Sequence, residues 1–290
     1  MTAFEQLELH EIELPQGTIR YRELGTGEPI VLVHGLLANG LLWSQVAPQL
    51  ARDFRVIVPD WPLGAHTTPL HPEADRTPPA LAKLIADFLT ALELENVTLV
   101  GNDTGGALCQ LVAVNHPERL GGLVLTPCDA YDNFLPTLFK PLVLTARMPG
   151  GVLAVAHALR VRPLQRLPIT LGWLTKRPLP PAMVDTLLHP LRSDRRIRRE
   201  LAAILRGISS RHTLGAATRF NCFDKPVLIA WATEDRVFPL AHAERLAAAF
   251  PQGQLERIED SYTFVPLDQP GRTAELIGAF ARGLVTAPTR

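Results

Sequence analysis

Cysteine is scarce in this 290-residue chain, which has only Cys109, Cys128 and Cys222. Their spacing matches no metal-binding motif, and the odd count argues against a disulfide framework. No histidine or cysteine clusters with the acidic residues either, so the sequence predicts no metal site and no cofactor. Free thiols are typical of a protein from a reducing compartment.

Targeting and membrane signals are also missing. The first fourteen residues lack a basic segment followed by an apolar one, so no signal peptide is expected. The longest apolar stretch, near Gly150 to Leu159, has about half of the roughly 20 residues that a membrane-spanning helix needs. We therefore expect a cytoplasmic protein that does not enter the membrane.

There is no excess charge of either sign, because 29 lysines and arginines balance 29 aspartates and glutamates. This balance argues against nucleic acid or an anionic membrane as a partner. One basic run, from Arg192 to Arg199, is flanked by Asp194 and Glu200 and is typical of a solvated helix face. Since 47% of the residues are hydrophobic, the chain can form a sizeable core, either in one large domain with an insertion or in two small domains.

Alternating apolar runs and helical patterns indicate the order of the elements. Residues 5–14 and 18–24 predict a β-hairpin, and 79–94, 240–250 and 272–284 have helical spacing, as does a stretch from Ala107. Continuous apolar runs predict strands buried on both faces at 29–34, 54–59, 97–101, 120–126 and 226–231, with a short strand at 254–258. Strands that alternate with helices predict an α/β fold with a mostly parallel, doubly wound sheet.

The long interval before the fifth buried strand has no strong strand pattern and reads as several short helices. Nearly a hundred residues are too many for a simple loop in a compact domain. We predict that residues 127–224 form a helical cap over the carboxyl ends of the strands, where ligands bind in open α/β sheets. Residues 1–126 and 225–290 would then form the core.

The sharpest motif is Gly101-Asn102-Asp103-Thr104-Gly105, which lies between a buried strand and a helix. It has the form of a nucleophile elbow, in which glycines permit a sharp turn and the middle side chain projects at the helix N-terminus. Asp103 stands where serine is more common. Taken alone, the motif is equally compatible with a glycine-rich turn whose aspartate caps the helix.

Three further segments occur in the order typical of one family. His34-Gly35 follows a buried strand, Trp231 to Asp235 follows a later one, and Asp260 to Val265 comes near the end. Together with the elbow, they resemble the α/β-hydrolase superfamily over the whole chain. The resemblance implies an oxyanion hole formed by the backbone N–H groups of Leu36 and Thr104, and a triad acid at Asp235.

An aspartate at the elbow resembles the haloalkane dehalogenase and epoxide hydrolase branch of that superfamily. The resemblance implies that the Asp103 carboxylate attacks carbon to form an ester with the enzyme, which a histidine-activated water then hydrolyses. Here Thr263 stands at the histidine position, and threonine is no general base near neutral pH. Losing that base typically lowers the rate by roughly 10²–10⁴.

Other features of the branch are absent too. Dehalogenases hold the halide with a tryptophan after the nucleophile and an asparagine after the His-Gly pair, and these positions are Thr104 and Leu36 here. Epoxide hydrolases use cap tyrosines, whereas the tyrosines in this chain are Tyr21, Tyr131 and Tyr262, and the cap beyond residue 131 has none. Haloalkane dehalogenation and epoxide hydrolysis are therefore less favoured than the elbow alone suggests.

The missing base leaves several substitutes open. His66 lies in a loop that borders the site in this fold, and we expect His34, Trp61 and Thr263 at the pocket. Asp129 follows the strand that ends at Thr126 and is an alternative acid position. If the carboxyl groups converge, repulsion raises at least one pKa and a pair can act as acid and base. Otherwise Asp129 caps the first cap helix and Asp235 makes a structural hydrogen bond.

The sequence thus predicts an enzyme acting on a small, apolar organic molecule by hydrolase-type chemistry. A non-hydrolytic isomerisation, elimination or cyclisation is the alternative, and a catalytically silent relative that binds a ligand is another. The substrate and the oligomeric state are left open, since fold alone does not give a function.

Overall fold

One sheet of eight strands organises the chain. The computed structural model describes residues 3–168 and 170–286. The strands lie in the order β1-β2-β4-β3-β5-β6-β7-β8; β2 is antiparallel to both of its neighbours, and all other pairs are parallel. The strands are β1 (His10–Leu14), β2 (Gly17–Leu24), β3 (Pro29–Val33), β4 (Arg55–Pro59), β5 (Val97–Asp103), β6 (Leu120–Cys128), β7 (Val227–Ala232) and β8 (Gly253–Ile258).

Helices connect these strands and cover the sheet. In the described residues they are α1 (Ala47–Leu50), α2 (Pro78–Ala91), α3 (Thr104–Asn115), α4 (Lys140–Thr145), α5 (Gly151–Ala158), α6 (Arg162–Gln165), α7 (Pro181–Ser193), α8 (Arg195–Gly207), α9 (Ser210–Ala217), α10 (Leu240–Ala249), α11 (Val265–Asp268) and α12 (Pro270–Thr286). Short 3-10 helices occur at Ala3–Gln6, Gly40–Trp43, Thr137–Phe139, Leu171–Trp173 and Phe220–Cys222. None of the helices in the described residues is long and apolar enough to cross a membrane.

The sheet is buried on both faces, which explains the continuous apolar runs. In β3, Val31 packs into one core cluster with residues of α2 and α3, whereas Ile30 packs into a second cluster with residues of α1 and α12. Side chains alternate between the two faces of a strand, so both faces need apolar residues when helices cover both. The predicted doubly wound, mostly parallel sheet is confirmed.

The predicted first strand is wrong in its first half. Residues 3–6 form a 3-10 helix and pairing begins only at His10. Phe4 is buried in the second core cluster, with the Arg22 guanidinium 5.5 Å from its ring centroid. Burying the Phe4 ring in the core therefore stabilises this segment more than pairing it as an exposed edge strand would.

The chain between β6 and β7 is helical wherever it has regular structure in the described residues. The division into a core of 1–126 and 225–290 and a cap of 127–224 stays a prediction. One buried contact joins this helical segment to the loop after β4: Glu200, on α8, accepts hydrogen bonds from His66 at 2.9 Å and from Arg76 at 3.2 Å. A carboxylate with two such donors is stabilised although little water reaches it.

Replacing Glu200 by alanine is expected to lower the free energy of unfolding by about 3 kcal/mol, because Arg76 and His66 lose their shared buried partner. Denaturant unfolding followed by circular dichroism measures the difference. Glu256→Ala is the matched control, since Glu256 pairs with Arg272 at the surface, and the expected change there is below about 0.5 kcal/mol. Equal effects of the two substitutions would show that the Glu200 contact contributes no more than a surface pair.

Candidate active site

The turn between β5 and α3 projects the Asp103 side chain from the sheet. Asp103 has φ 54° and ψ −133°, a backbone conformation that few residues other than glycine adopt. Two glycines permit the close approach of helix and strand. A Cβ on Gly105 would lie 2.4 Å from the His34 carbonyl oxygen, and one on Gly101 would lie 2.6 Å from the Cα of Gly106. This geometry is that of a nucleophile elbow.

Backbone N–H groups hold the Asp103 carboxylate. The N–H of Leu36 donates to Oδ2 at 3.1 Å, and the N–H of Thr104 also stabilises the ionised carboxylate. Gly35 makes this approach possible, because a Cβ there would lie 1.9 Å from Asp103 Oδ2. The two N–H groups that the sequence predicted as an oxyanion hole therefore converge on the elbow side chain itself.

Asp235 and Thr263 lie together, as the family resemblance implied. Asp235 Oδ1 accepts from the N–H groups of Val237 and Phe238, each at 2.7 Å, and from the Thr263 hydroxyl at 3.2 Å. Its other oxygen, Oδ2, is buried without a hydrogen-bond partner. Thr263 itself is fully buried. The Thr263 hydroxyl thus donates to Asp235 the hydrogen bond that an imidazole would donate, but threonine has no basic nitrogen.

Asp129 is the third buried carboxyl group of the site. Its Oδ2 accepts from the Thr104 hydroxyl at 3.0 Å, and its Oδ1 is buried without a partner. The interpretation that Asp129 caps the first helix of the segment is wrong, because that helix begins at Thr137 with Pro136 as its N-cap. Thr104 therefore connects two acids, stabilising Asp103 through its backbone and binding Asp129 through its side chain.

The cavity that Asp103 borders is small and apolar. Its volume is about 90 Å³, and its lining, apart from Asp103 and Thr170, consists of apolar side chains: Leu36, Leu37, Leu135, Phe139, Leu142, Val155, Leu159, Leu171, Leu174, Leu187 and Phe264. Most of these come from the helical segment between β6 and β7. An uncharged, apolar group fits such a lining.

The fold and this geometry match one family. The family model for the alpha/beta hydrolase fold covers residues 28–270. The chain belongs to the α/β-hydrolase fold family. An uncharacterised protein of Mycobacterium tuberculosis is 31% identical over 275 residues, which cover 90% of this chain and 77% of that protein. Haloalkane dehalogenase 2 of the same species is 26% identical over 274 residues, which cover 90% of this chain and 91% of the dehalogenase.

A solved structure supports the same fold. A thermophilic esterase from Thermogutta terrifontis superimposes with a TM-score of 0.74 at 23% identity, covering 96% of this chain and all of that one. The family match and the curated relatives support an enzyme of hydrolase type.

Burial controls the protonation of the three acids in this α/β hydrolase. Desolvation raises the pKa of Asp103 to about 7, with a further contribution from Asp235, although the N–H groups of Thr104 and Leu36 oppose the rise. Desolvation likewise raises the pKa of Asp235 to about 6 and, together with repulsion from Asp103, raises that of Asp129 well above its usual range. In the described part of the chain no lysine, arginine or histidine forms an ion pair with these carboxyl groups, so no cation counters the desolvation.

Two histidines that the sequence placed near the site, His66 and His34, form hydrogen bonds to other groups. His66 Nδ1 accepts from the N–H of Gly64 at 3.2 Å, so its proton lies on Nε2, which donates to Glu200. Both ring nitrogens are thus engaged and neither is free to remove a proton from water at Asp103. His34 is buried, with Nδ1 against the Gly35 carbonyl and Nε2 accepting from the N–H of Trp61, both at 2.9 Å. Burial lowers its pKa to about 4, which keeps it neutral.

The expected pocket positions of His34, Trp61 and Thr263 need correction, since none of them lines the cavity beside Asp103. Trp61 is buried in the core, and its indole N–H donates to the Leu32 carbonyl at 3.1 Å. Hydrogen bonds with the backbone hold His34 and Trp61, and a hydrogen bond to Asp235 holds Thr263. These side chains support the site without lining the cavity.

One contributing residue was not singled out from the sequence. Asn102, buried beside the nucleophile position, donates through Nδ2 to the Thr126 hydroxyl and to the Thr263 carbonyl, each at 2.8 Å. It thereby fixes the segment that carries Thr263 against the elbow. The variable position of a G-x-Nuc-x-G motif gives no signal for this role, because the partner lies far along the chain. Among the described residues, no group of three or more histidines, cysteines and acids is arranged to hold a metal ion.

The stability of the protein should depend on pH through Asp103. Its raised pKa means that between about pH 4 and pH 7 the folded state binds a proton that the unfolded state has lost. The stabilisation is complete below about pH 4 and is lost as the pH rises through about 7. Asp103→Asn removes this dependence, and it is expected to raise the free energy of unfolding at about pH 8 by on the order of 1–3 kcal/mol.

Denaturant titrations of wild type and Asp103→Asn across this pH range measure the difference. The control is Asp185→Asn, because Asp185 is exposed at the surface. The same pH dependence in wild type and Asp103→Asn would mean that Asp103 is ionised in the folded state at all of these pH values.

Proposed function

We propose that this α/β hydrolase uses Asp103 as a nucleophile on a small, apolar electrophile and forms an ester between Asp103 and the substrate. The observation that carries the proposal is the hydrogen bond from the N–H of Leu36 to Asp103 Oδ2. It fixes one carboxylate oxygen at the border of the cavity, and the other oxygen would attack a substrate held there. Positioning of this kind lowers the entropic part of the barrier.

The same donors suit the second half of the reaction. When Oδ1 bonds to carbon, the carbon–halogen bond breaks and halide leaves, or the carbon–oxygen bond of the epoxide opens and its oxygen takes a proton from water. Oδ2 then becomes the carbonyl oxygen of the ester. Water that attacks this ester gives its proton to solvent and turns Oδ2 into an oxyanion, which the N–H groups of Leu36 and Thr104 would stabilise until the alcohol leaves and the carboxylate is restored. Carboxylate, backbone and water supply every group in this scheme, so it needs no cofactor or metal. Since the pKa of Asp103 is about 7, the reactive carboxylate predominates only above neutral pH.

The apolar lining supports a substrate whose reacting end is uncharged, such as an epoxide or a haloalkane, because attack on the saturated carbon of either group gives an ester. A curated relative of similar length is named haloalkane dehalogenase, which favours attack by the carboxylate on carbon. Leu36 has no side-chain donor and the Thr104 hydroxyl donates to Asp129, so neither side chain is available to bind a halide. We therefore propose Asp103 as the nucleophile and an electrophile with an apolar reacting end as the substrate class. Neither haloalkane dehalogenation nor epoxide hydrolysis is singled out.

Thr263 limits the second step. Its hydroxyl is committed to Asp235, and a neutral hydroxyl removes no proton from water at ordinary pH. With His66 bound to Gly64 and Glu200, hydrolysis of the ester lacks a strong general base. The ester on Asp103 should therefore form faster than it is hydrolysed.

Incubation with a panel of epoxides and haloalkanes should give a stable mass adduct on Asp103, located by peptide mass spectrometry. The adduct should be absent from Asp103→Asn, because an amide is not nucleophilic at this position. Adduct yield in wild type should rise with pH through about 7, following ionisation of Asp103. If the panel gives no adduct and no product, the result would favour a protein that binds a ligand without catalysing a reaction.

Replacing Thr263 by histidine should supply the missing base between Asp235 and Asp103, and it should shorten the lifetime of the adduct by roughly 10²-fold. Pre-formed adduct is followed by mass spectrometry after free substrate is removed. Thr263→Asn is the matched control, since asparagine adds similar bulk at this buried position without a base. An equal lifetime in the two variants, both shown by circular dichroism to be folded, would contradict the assignment of position 263.

A second candidate is non-hydrolytic acid–base chemistry by a carboxyl pair. The observation that favours it is the burial of Asp129 beside Asp103, with the Thr104 hydroxyl bound to Asp129, because desolvation and then repulsion from Asp103 raise the pKa of Asp129 well above its usual range. A protonated and an ionised carboxyl group in one site can serve as acid and base. Product without adduct from the panel, lost in Asp129→Asn, would favour this chemistry over the nucleophilic scheme.

A further inference from the structure

A second, much larger cleft adjoins the apolar cavity. Its volume is about 650 Å³, against about 90 Å³ for the cavity beside Asp103. The two spaces meet at the short 3-10 helix Leu171–Trp173: Leu171 lines both spaces, and Gly172 lines only the cleft. Leu174, which lines the cavity, accepts at 2.7 Å from the N–H of Phe264. This shared boundary is thus bound to the segment that carries Thr263.

Positive charge dominates this basic cleft, which we define by its charged lining residues Arg162, Arg166, Lys176, Arg177 and Arg236. No carboxylate is among its lining residues in the described part of the chain. Outside it, Lys176 pairs with Glu234 and Asp260, and Arg177 with Asp260 and Asp268. Two of the five cations thus share three carboxylates, and the other three are arginines without an ion pair among the described residues.

The three arginines without an acidic partner differ from the two paired cations in their surroundings. Within the described residues, Arg162, Arg166 and Arg236 form no ion pair. The Arg236 guanidinium lies 4.6 Å from the ring centroid of Tyr262 and 5.9 Å from that of Trp173. Stacking on aromatic rings fixes a guanidinium while leaving its N–H donors free to bind the two oxygens of a carboxylate or phosphate.

We propose that the substrate is a small amphiphile whose anionic group, a carboxylate or a phosphate, binds in the basic cleft while its apolar end reaches Asp103. The inference rests on the proposed function and names its substrate class. An anion would be repelled from the apolar cavity, which Asp103 borders and no cation lines. The two spaces together therefore select a molecule with one charged and one apolar end, and they fix which end meets the nucleophile.

The test uses binding, so that it does not depend on turnover. Octanoate, octyl phosphate and 1-octanol share one apolar chain and differ in the head group. Calorimetric titration of Asp103→Asn at low salt should show at least one of the anions binding roughly tenfold more tightly than 1-octanol, with the advantage falling as salt is added. The tighter of the two anions identifies the head group. Equal affinity for all three compounds would overturn the proposal.

The double variant Arg166→Gln/Arg236→Gln, made in the Asp103→Asn background, should lose this preference and keep its affinity for 1-octanol. Arg160→Gln is the matched control, because Arg160 is exposed, pairs with Asp185 and does not line the basic cleft. A preference for the anion that survives in the double variant would overturn the proposal, since the charged group would then lie elsewhere.

The two proposals can fail independently. Absence of any adduct on wild-type Asp103, combined with anion preference that depends on Arg166 and Arg236, would reject the nucleophile and retain the amphiphile site. Tighter binding of octanoate to Asp103→Asn than to wild type, with no effect of the arginine substitutions, would instead locate the anion beside Asp103 and reject the amphiphile site.

Discussion

The turn at Asp103 is the constraint on which the rest of the site depends. A residue with φ 54° and ψ −133° is unfavourable in isolation, and it persists only where the surrounding structure enforces it. Here strand β5, helix α3 and the chain after β3 meet so closely that Gly101, Gly105 and Gly35 have no room for a Cβ. The same close approach brings the N–H of Leu36 to the carboxylate. The strained backbone of Asp103, the spacing of the glycines and the binding of the carboxylate thus all follow from this one close approach.

Burial of three carboxyl groups without a cation follows from that arrangement. Asp103, Asp129 and Asp235 lie at the carboxyl ends of neighbouring parallel strands, and their hydrogen bonds come from backbone N–H groups and from the hydroxyls of Thr104 and Thr263. Neutral donors compensate only part of the desolvation, so the acids favour their protonated forms. Where a triad histidine would supply positive charge in the reaction cycle, this chain has a threonine. The proposed chemistry would therefore use carboxyl groups, backbone N–H groups and water without a basic nitrogen.

In the proposed amphiphile site, the apolar cavity and the basic cleft would bind different ends of the ligand. The helical segment between β6 and β7 lines most of the cavity with leucine, valine and phenylalanine side chains, while the same segment gives Arg162 and Arg166 to the cleft. The two environments meet at one 3-10 helix. An apolar space next to a charged one sets the orientation of a ligand more strongly than either space by itself, because each end of the ligand is disfavoured in the wrong space.

The sequence by itself determined the alternating strands and helices, the elbow at Asp103 and the absence of a histidine at 263, because these depend on local periodicity and short motifs. It misjudged the start of β1, where Phe4 packs into the core, and the pocket positions of His34 and Trp61. It also could not exclude His66, whose Nε2 binds Glu200 from the distant helix α8. The link from Asn102 to Thr263, the cavity lining and the basic cleft likewise join residues far apart in the chain. Only the tertiary structure decides such contacts, since they depend on which strand ends and helices pack together, and no short segment encodes that.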